Sequence, residues 1–331
     1  MAPILLALVA VLLAWPVPVL LGRAQWPARA PVAAMILWQA VGLGGGLALI
    51  SAPLLYAVRK FGSGLIPAGT EIFEAIANHG LFALHLDPRW GGLEIVAGTL
   101  AVAIGVHLVL SLVYSAWRTT LERRRHRETV QLLSKVIHDP TASETLTPYQ
   151  RNSGGVTTLL LPSEHPLAYC IPALSGSYTV ISQGLMERLT EAELSAVIEH
   201  EKAHLRQRHD LLRVGFEAWH RAASWLVATE TSRIAVTTLT EMLADDAALA
   251  RIDRATLIRS MAVVASHDSP HTIAKPLSSD QPADRTTSVT AVRLKRLLSS
   301  RPPLPGWQQA LIITLAACLL IVPAALTLCG V

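Results

Sequence analysis

The sequence predicts a mostly α-helical membrane protein: a bundle of four spanning helices that carries one water-facing α+β insert. Two observations lead there. Of the 331 residues, 51% are hydrophobic and only 16% charged, against about 25% charged in ordinary soluble domains, and the mean hydropathy is +0.41. The few charges are also gathered in one place. Between Arg118 and Arg301 lie 23 of the 28 Lys and Arg and 20 of the 24 Asp and Glu. A disordered chain would show the opposite balance of apolar and charged residues. Three Cys are too few for a disulfide scaffold.

Four stretches contain no Asp, Glu, Lys or Arg: 3–22, 31–58, 95–117 and 306–331. A helix needs about 20 apolar residues to cross the hydrocarbon core, where no backbone group can bond to water. All four are long enough. The first is read as a retained span, because no Lys or Arg precedes it and its apolar run exceeds the roughly 7–15 residues of a signal peptide. Gly42, Gly44, Gly45, Gly46 and Pro53 are tolerable in a bundled helix, where small residues permit close packing. His107 is expected to face other helices and is assigned no chemistry.

Positive charge sets the orientation. Arg118, Arg123, Arg124, Arg125 and Arg127 follow the third span, and Arg293, Lys295, Arg296 and Arg301 precede the fourth. The cytoplasmic side retains such clusters. The expected plan is therefore three spans over 1–117 with loop 59–94 outside, a cytoplasmic domain over 118–305, a fourth span over 306–331, and both termini outside. Arg59, Lys60 and Arg89 in the outside loop run against the rule. The pI of 9.1 and the 123–127 cluster are explained by topology and anionic lipid. The bilayer is thus a partner, and direct nucleic-acid binding is not expected. Cys170, Cys318 and Cys329 offer no metal pair and read as reduced thiols.

Within the insert, 128–136 continues the third span as a helix. The segment 138–151, with Pro140 and Pro148, reads as a linker. Strands are expected at 156–161, 168–171 and 178–182, the last two joined as a hairpin through Leu174-Ser175-Gly176-Ser177. The period then changes. Thr190 and Glu193 form a capping box, and Leu194, Val197 and Ile198 recur at helical spacing. That helix is expected to run from 191 to about 208, and further helices over 210–227, amphipathic and suited to rest on the membrane, and 237–250. The Ser, Pro, Thr and Asp of 267–290 suggest a loop, before a short basic helix at 293–298.

The chemistry sits on the capped helix, in His200-Glu201-Lys202-Ala203-His204. Residues four apart share one helix face, so His200 and His204 can converge on one Zn²⁺ at about 2.0–2.1 Å. Glu201 projects near that face without occupying a ligand position, as a general base for a metal-activated water must. A third ligand is expected from Glu241-Met242-Leu243-Ala244-Asp245-Asp246. Glu241 completes a His₂Glu site with one zinc per chain. Asp245, four residues on, accepts the free N–H of a ligand His. Asp246 is expected to face solvent or cap the helix, and His209 to be structural or solvated.

The run AYCIPALSGSYTVISQGLMERLTEAELSAVIEHEKAHLRQRHD at 168–210, followed by EMLADD at 241–246, resembles the BlaR/MecR-type bacterial membrane metallopeptidases. Ser182-Gln183-Gly184, the HExxH motif and Glu241 with Asp245 stand where that family has them. The order of three spans, insert and final span is similar too, and is less like HtpX-type proteases, whose motif follows two spans. The resemblance implies a gluzincin-like zinc endopeptidase of the bacterial inner membrane, with His200, His204 and Glu241 as ligands and Glu201 as base. It also suggests a BlaI-type transcriptional repressor as substrate or downstream partner. Antibiotic-sensing members carry a penicillin-binding domain after the last span, and this chain stops at Val331. Alternatives are an HtpX-like quality-control protease and a non-catalytic zinc-containing scaffold. Tyr178, Thr179, Val180, Ile181 and Ser182, the strand before the metal helix, are expected to pair with an extended substrate backbone by strand addition.

Overall fold

A computed structural model describes residues 1–80, 87–135, 156–173, 176–265, 283–299 and 301–330. Its helices are α1 (Ala2–Ala14), α2 (Pro16–Arg23), α3 (Pro31–Val58), α4 (Leu65–His79), α5 (Gly92–Lys135), α6 (Gln183–Met186), α7 (Glu191–Arg206), α8 (His209–Ala222), α9 (Val227–Leu249), α10 (Arg254–Ala265), α11 (Ala283–Leu298) and α12 (Gly306–Cys329). Three strands, β1 (Val156–Leu161), β2 (Ala168–Ala173) and β3 (Gly176–Ser182), form one sheet. Among the described residues, four helical stretches are long and apolar enough to cross a membrane: Ala2–Arg23, Pro31–Val58, Gly92–Glu122 and Gly306–Cys329. The expected linker 138–151 and most of the 267–290 loop fall outside the described residues. The rest of that loop is helical, since α11 begins at Ala283.

The chain divides into two compact units. One comprises Met1–Ser115, Gly215–Val236 and Pro303–Val331, and the other Ala116–Val214 and Thr237–Pro302. The expected plan placed all of 118–305 in the insert, so the membership of Gly215–Val236 is a departure from it.

In the first unit α3 is the central post. Ala2, Leu6 and Ala10 of α1 pack with Ala48, Ala52 and Leu55 of α3, and α12 lies along α3 as well. A Cβ on Gly44 would run into the backbone carbonyl of Leu319. That glycine therefore sets how closely α3 and α12 approach, the use of small residues expected between spanning helices. The three discordant cations of 59–94 are spent on carboxylates. Arg59 and Lys60 meet the buried Glu94 at 2.9 and 3.1 Å, and Arg89 bonds Asp87 and Glu71.

In the second unit β3 is the middle strand, parallel to β1 and antiparallel to β2. The β2–β3 hairpin is as expected, but the strand-addition reading is corrected. Tyr178, Thr179, Val180, Ile181 and Ser182 already pair on both sides, with 157–161 and 168–171, so no ladder hydrogen bonds are left there for a substrate. The parallel pairing with β1 links strands far apart in sequence, which no local period reveals. Among the described residues, only the outer edges of β1 and β2 lack a strand partner in this sheet.

Ser182 ends β3 and starts α6: its Oγ accepts from the Leu167 and Leu185 amides at 2.8 and 3.2 Å. Gly184 is required next, because a Cβ there would strike the Glu164 carbonyl. Ile181, Leu185, Leu189, Leu194 and Ile198 then form the core that seats α7 on the sheet. Helix α10 covers another face of α7, through Ala196, Ala248, Leu257 and Met261.

Candidate metal centre

Helix α7 begins at Thr190, whose hydroxyl accepts from the Glu193 amide while the Glu193 carboxylate takes the Thr190 N–H at 3.0 Å. This reciprocal cap fixes the start of the helix. Every later α7 residue then has a set direction, and His200 and His204 emerge on one face.

His200, His204 and Glu241 each offer a ligand atom, all within 4.8 Å of one another. The Nε2 atoms of the two histidines are 3.2 Å apart. The Glu241 carboxylate lies 3.3 Å from Nε2 of His200 and 3.6 Å from that of His204. Ligands on a tetrahedral ion with bonds of about 2.0–2.1 Å stand roughly 3.3–3.4 Å from each other, so the donor set fits zinc in both spacing and chemistry.

The outer nitrogens of the two imidazoles explain why the inner ones point toward the Glu241 carboxylate. Nδ1 of His200 donates to Asp245 Oδ1 at 3.0 Å. His204 is oriented by a residue that sequence reasoning set aside: its Nδ1 lies 2.9 Å from Nδ1 of His209, while His209 Nε2 bonds Gln207 Oε1 at 2.8 Å. An amide oxygen can only accept, so His209 carries its proton on Nε2 and its Nδ1 accepts from His204. Burial, with the neighbouring His204, lowers His209 to about 3, so it stays neutral at physiological pH. Both ligand histidines thus carry their proton on Nδ1. Against burial and the Arg293 charge, hydrogen bonds to Asp245 and Glu241 raise His200 to about 9. Without metal it therefore takes a further proton on Nε2, which faces Glu241 at 3.3 Å and the His204 Nε2 at 3.2 Å. A bound cation takes the place of that proton.

His209→Ala removes the group that holds His204 in this tautomer and orientation. The loss of such a partner weakens metal affinity by about 10–100-fold. The expected result is a shift of that size in a competition titration against a chelator; unchanged affinity would remove His209 from the centre.

Arg293 is the second group that was missed. Its guanidinium forks onto Asp245, with Nη2 to Oδ1 at 2.6 Å and Nε to Oδ2 at 2.9 Å, and Nη1 reaches Glu241 Oε2 at 3.0 Å. Against the upward push of burial, His204 and Arg293 hold the Glu241 carboxyl well below its usual range. Hydrogen bonds from His200 and Arg293 likewise overcome burial and keep Asp245 low. Both stay anionic. Burial pushes the Glu201 carboxyl up, opposed by the His204 and His200 charges, and it also feels Glu241 and Arg293. It belongs to the same cluster without being one of the three ligands.

One neighbour differs from expectation. Asp246 is paired with Arg296 at 2.7 Å and does not simply face solvent. Arg293 and Arg296 also belong to the basic cluster before the fourth span. Three residues apart on α11, both face the acids of α9.

The family model of peptidase family M48 matches residues 140–304, a span that holds every residue of this centre. No curated protein and no solved structure matches the chain.

Proposed function

Because the chain belongs to peptidase family M48, we propose that it is an integral membrane zinc endopeptidase that cuts protein substrates at the cytoplasmic face of a bacterial inner membrane. The observation that carries this reading is the convergence of three ligand atoms, two imidazole and one carboxylate, beside the half-buried Glu201 carboxyl, which is not one of them.

His200, His204 and Glu241 would hold a zinc ion, and such an ion, when bound, would supply Lewis-acid polarisation and acidify a water. Glu201 takes the proton of the attacking water and passes it to the leaving amine. Asp245 and His209 hold the two imidazoles in the tautomer that binds metal. Arg293 keeps Glu241 and Asp245 ionised. The substrate backbone is offered the outer edge of β2, the edge strand that packs beside α7, in place of the enclosed β3.

The cytoplasmic placement rests on the Arg and Lys beside the third and fourth spans. Arg293 and Arg296 are spent on carboxylates, so the positive charge that would hold this side in the cytoplasm lies mostly in 118–127. A repressor of the BlaI type as substrate rests on the likeness of 168–250 to BlaR/MecR-type enzymes and on the order of spans.

The purified full-length protein is expected to hold one zinc per chain by elemental analysis, and the His200→Ala/His204→Ala/Glu241→Ala variant none. Equal zinc in both would end the reading. Comparing cellular proteins that accumulate with an inactive enzyme then separates the roles: one repressor points to signalling, and many membrane proteins to quality control.

A further inference from the structure

Helices α8 and α9 meet at a turn over 223–226, and the part on either side of it, Gly215–Val236, packs with the spanning helices. Helix α3 serves as a ruler for its depth. A Cβ on Gly42 would touch the Phe216 ring at 3.4 Å, and one on Gly46 the Trp219 ring at 3.3 Å. At 1.5 Å per residue these glycines lie about 17 and 22 Å from Pro31, in a helix about 42 Å long. Trp219 therefore stands near the middle of the span, and α8 runs in the same direction as α3. Three residues on, the Ala222 carbonyl accepts from His107 Nε2 at 3.0 Å, again near the middle of the Gly92–Glu122 span.

The return leg ends where the outward leg began. A Cβ on Gly22, in the last turn of α2, would collide with the Thr231 side chain. That is the end of the bundle that carries Arg23 and Arg29, where α3 starts. A hairpin with these contacts enters from one side, turns at half depth and leaves by the same side.

The distribution of its side chains agrees independently. The tip is bare and apolar: Trp225 is 81% exposed and Val227 70%. Three of its four charged side chains are turned inward, where the buried Arg233 bonds Glu230 at 2.8 Å and Glu217 at 3.3 Å, with His220 3.6 Å from Glu230. The fourth, Arg221, is exposed and reaches back along α5 over the Tyr114 ring to Ser115 Oγ at 3.1 Å, toward the end of that span. Apolar groups outside and paired charges inside is the pattern of a segment in lipid, where an unpaired charge is costly.

We infer that Gly215–Val236 is a re-entrant membrane hairpin whose tip, 223–227, is seated among lipid acyl chains. Backbone at such depth is tolerated when helices satisfy it and other spans pack against it, as α3 and α5 do here.

The test uses full-length protein with Cys170, Cys318 and Cys329 replaced by Ser and reconstituted in phosphatidylcholine vesicles. A nitroxide is placed singly at Ser224→Cys, Trp225→Cys, Val106→Cys (mid-span, exposed) or Arg206→Cys (exposed, on α7). Each variant must keep the parent's thermal midpoint. The expected result is that 224 and 225 lose collisions with a water-soluble nickel complex to the level of 106 while staying open to oxygen. Tip labels as open to nickel as 206 would overturn the inference. So would labels shielded from both reagents, which would mean that protein covers the tip. Catalysis is not read at any step, so failure here leaves the peptidase reading untouched.

Discussion

Replacing Glu201 by Gln or Ala is expected to abolish peptide hydrolysis while the purified protein keeps its full complement of zinc. The three ligand atoms come from His200, His204 and Glu241, so neither substitution removes a metal contact. Glu201 is nevertheless within the field of both imidazoles, Glu241 and Arg293. A positioned general base contributes about 10²–10⁴-fold to such a reaction. The direction of its shift suits the role. Burial raises the carboxyl, opposed by the His204 and His200 charges, and a raised carboxyl accepts a proton more strongly. Glu201→Gln preserves shape and volume, so its loss of activity isolates the proton transfer from packing. Substrate cleavage followed on gels, with metal content measured on the same preparation, decides the matter. Undiminished cleavage removes Glu201 from the chemistry, and loss of zinc alongside activity assigns it to the architecture of the site.

That centre was legible in part because each of its clearest signals is local. The Thr190–Glu193 cap fixes where α7 starts, and two histidines four apart on a capped helix must share a face. Glu241 and Asp245 were readable for the same reason. His209 was not. Had α7 continued to 208, a residue five positions after His204 would point well away from it. The helix instead ends at Arg206, Arg208 adopts a left-handed φ of 49°, and His209 folds back onto His204. Arg293 was hidden by a competing explanation: a basic cluster beside a span already satisfies the topology rule, and its pairing with α9 bridges 48 residues. The enclosure of β3 and the depth of Phe216 and Trp219 depend on equally distant partners. Amphipathic spacing in α8 said that one face is apolar, but a helix lying on a membrane and one packed against Gly42 and Gly46 share that spacing.

Arg293→Leu is expected to unseat the second unit of the fold as well as its metal. Asp245 is fully buried and Arg293 nearly so, at 0% and 13% side-chain exposure. Removing one member of a buried pair leaves the other charge desolvated, at a cost of about 3–5 kcal/mol. Here two carboxylates lose their cation together. Glu241 and Asp245 are one turn apart on α9, so their mutual repulsion adds to that cost. The pH dependence separates this electrostatic role from simple packing. Arg293 helps hold both carboxyls below their ordinary values of 4.5 and 3.8. A depressed carboxylate contributes stability above its unfolded pKa and loses it as the pH falls through the folded one. With a chelator present to exclude metal binding, the thermal midpoint of Arg293→Leu should fall far below wild type at pH 7. That gap should narrow once the pH drops below about 4. Arg293→Lys should lie between them, because it keeps the charge but not the planar fork that meets both oxygens of Asp245. A gap of equal size at both pH values would mean that the side chain acts through its packing. No gap at all would mean that Asp245 and Glu241 do not need a cation, and the field that keeps them ionised would have to come from the two histidines alone.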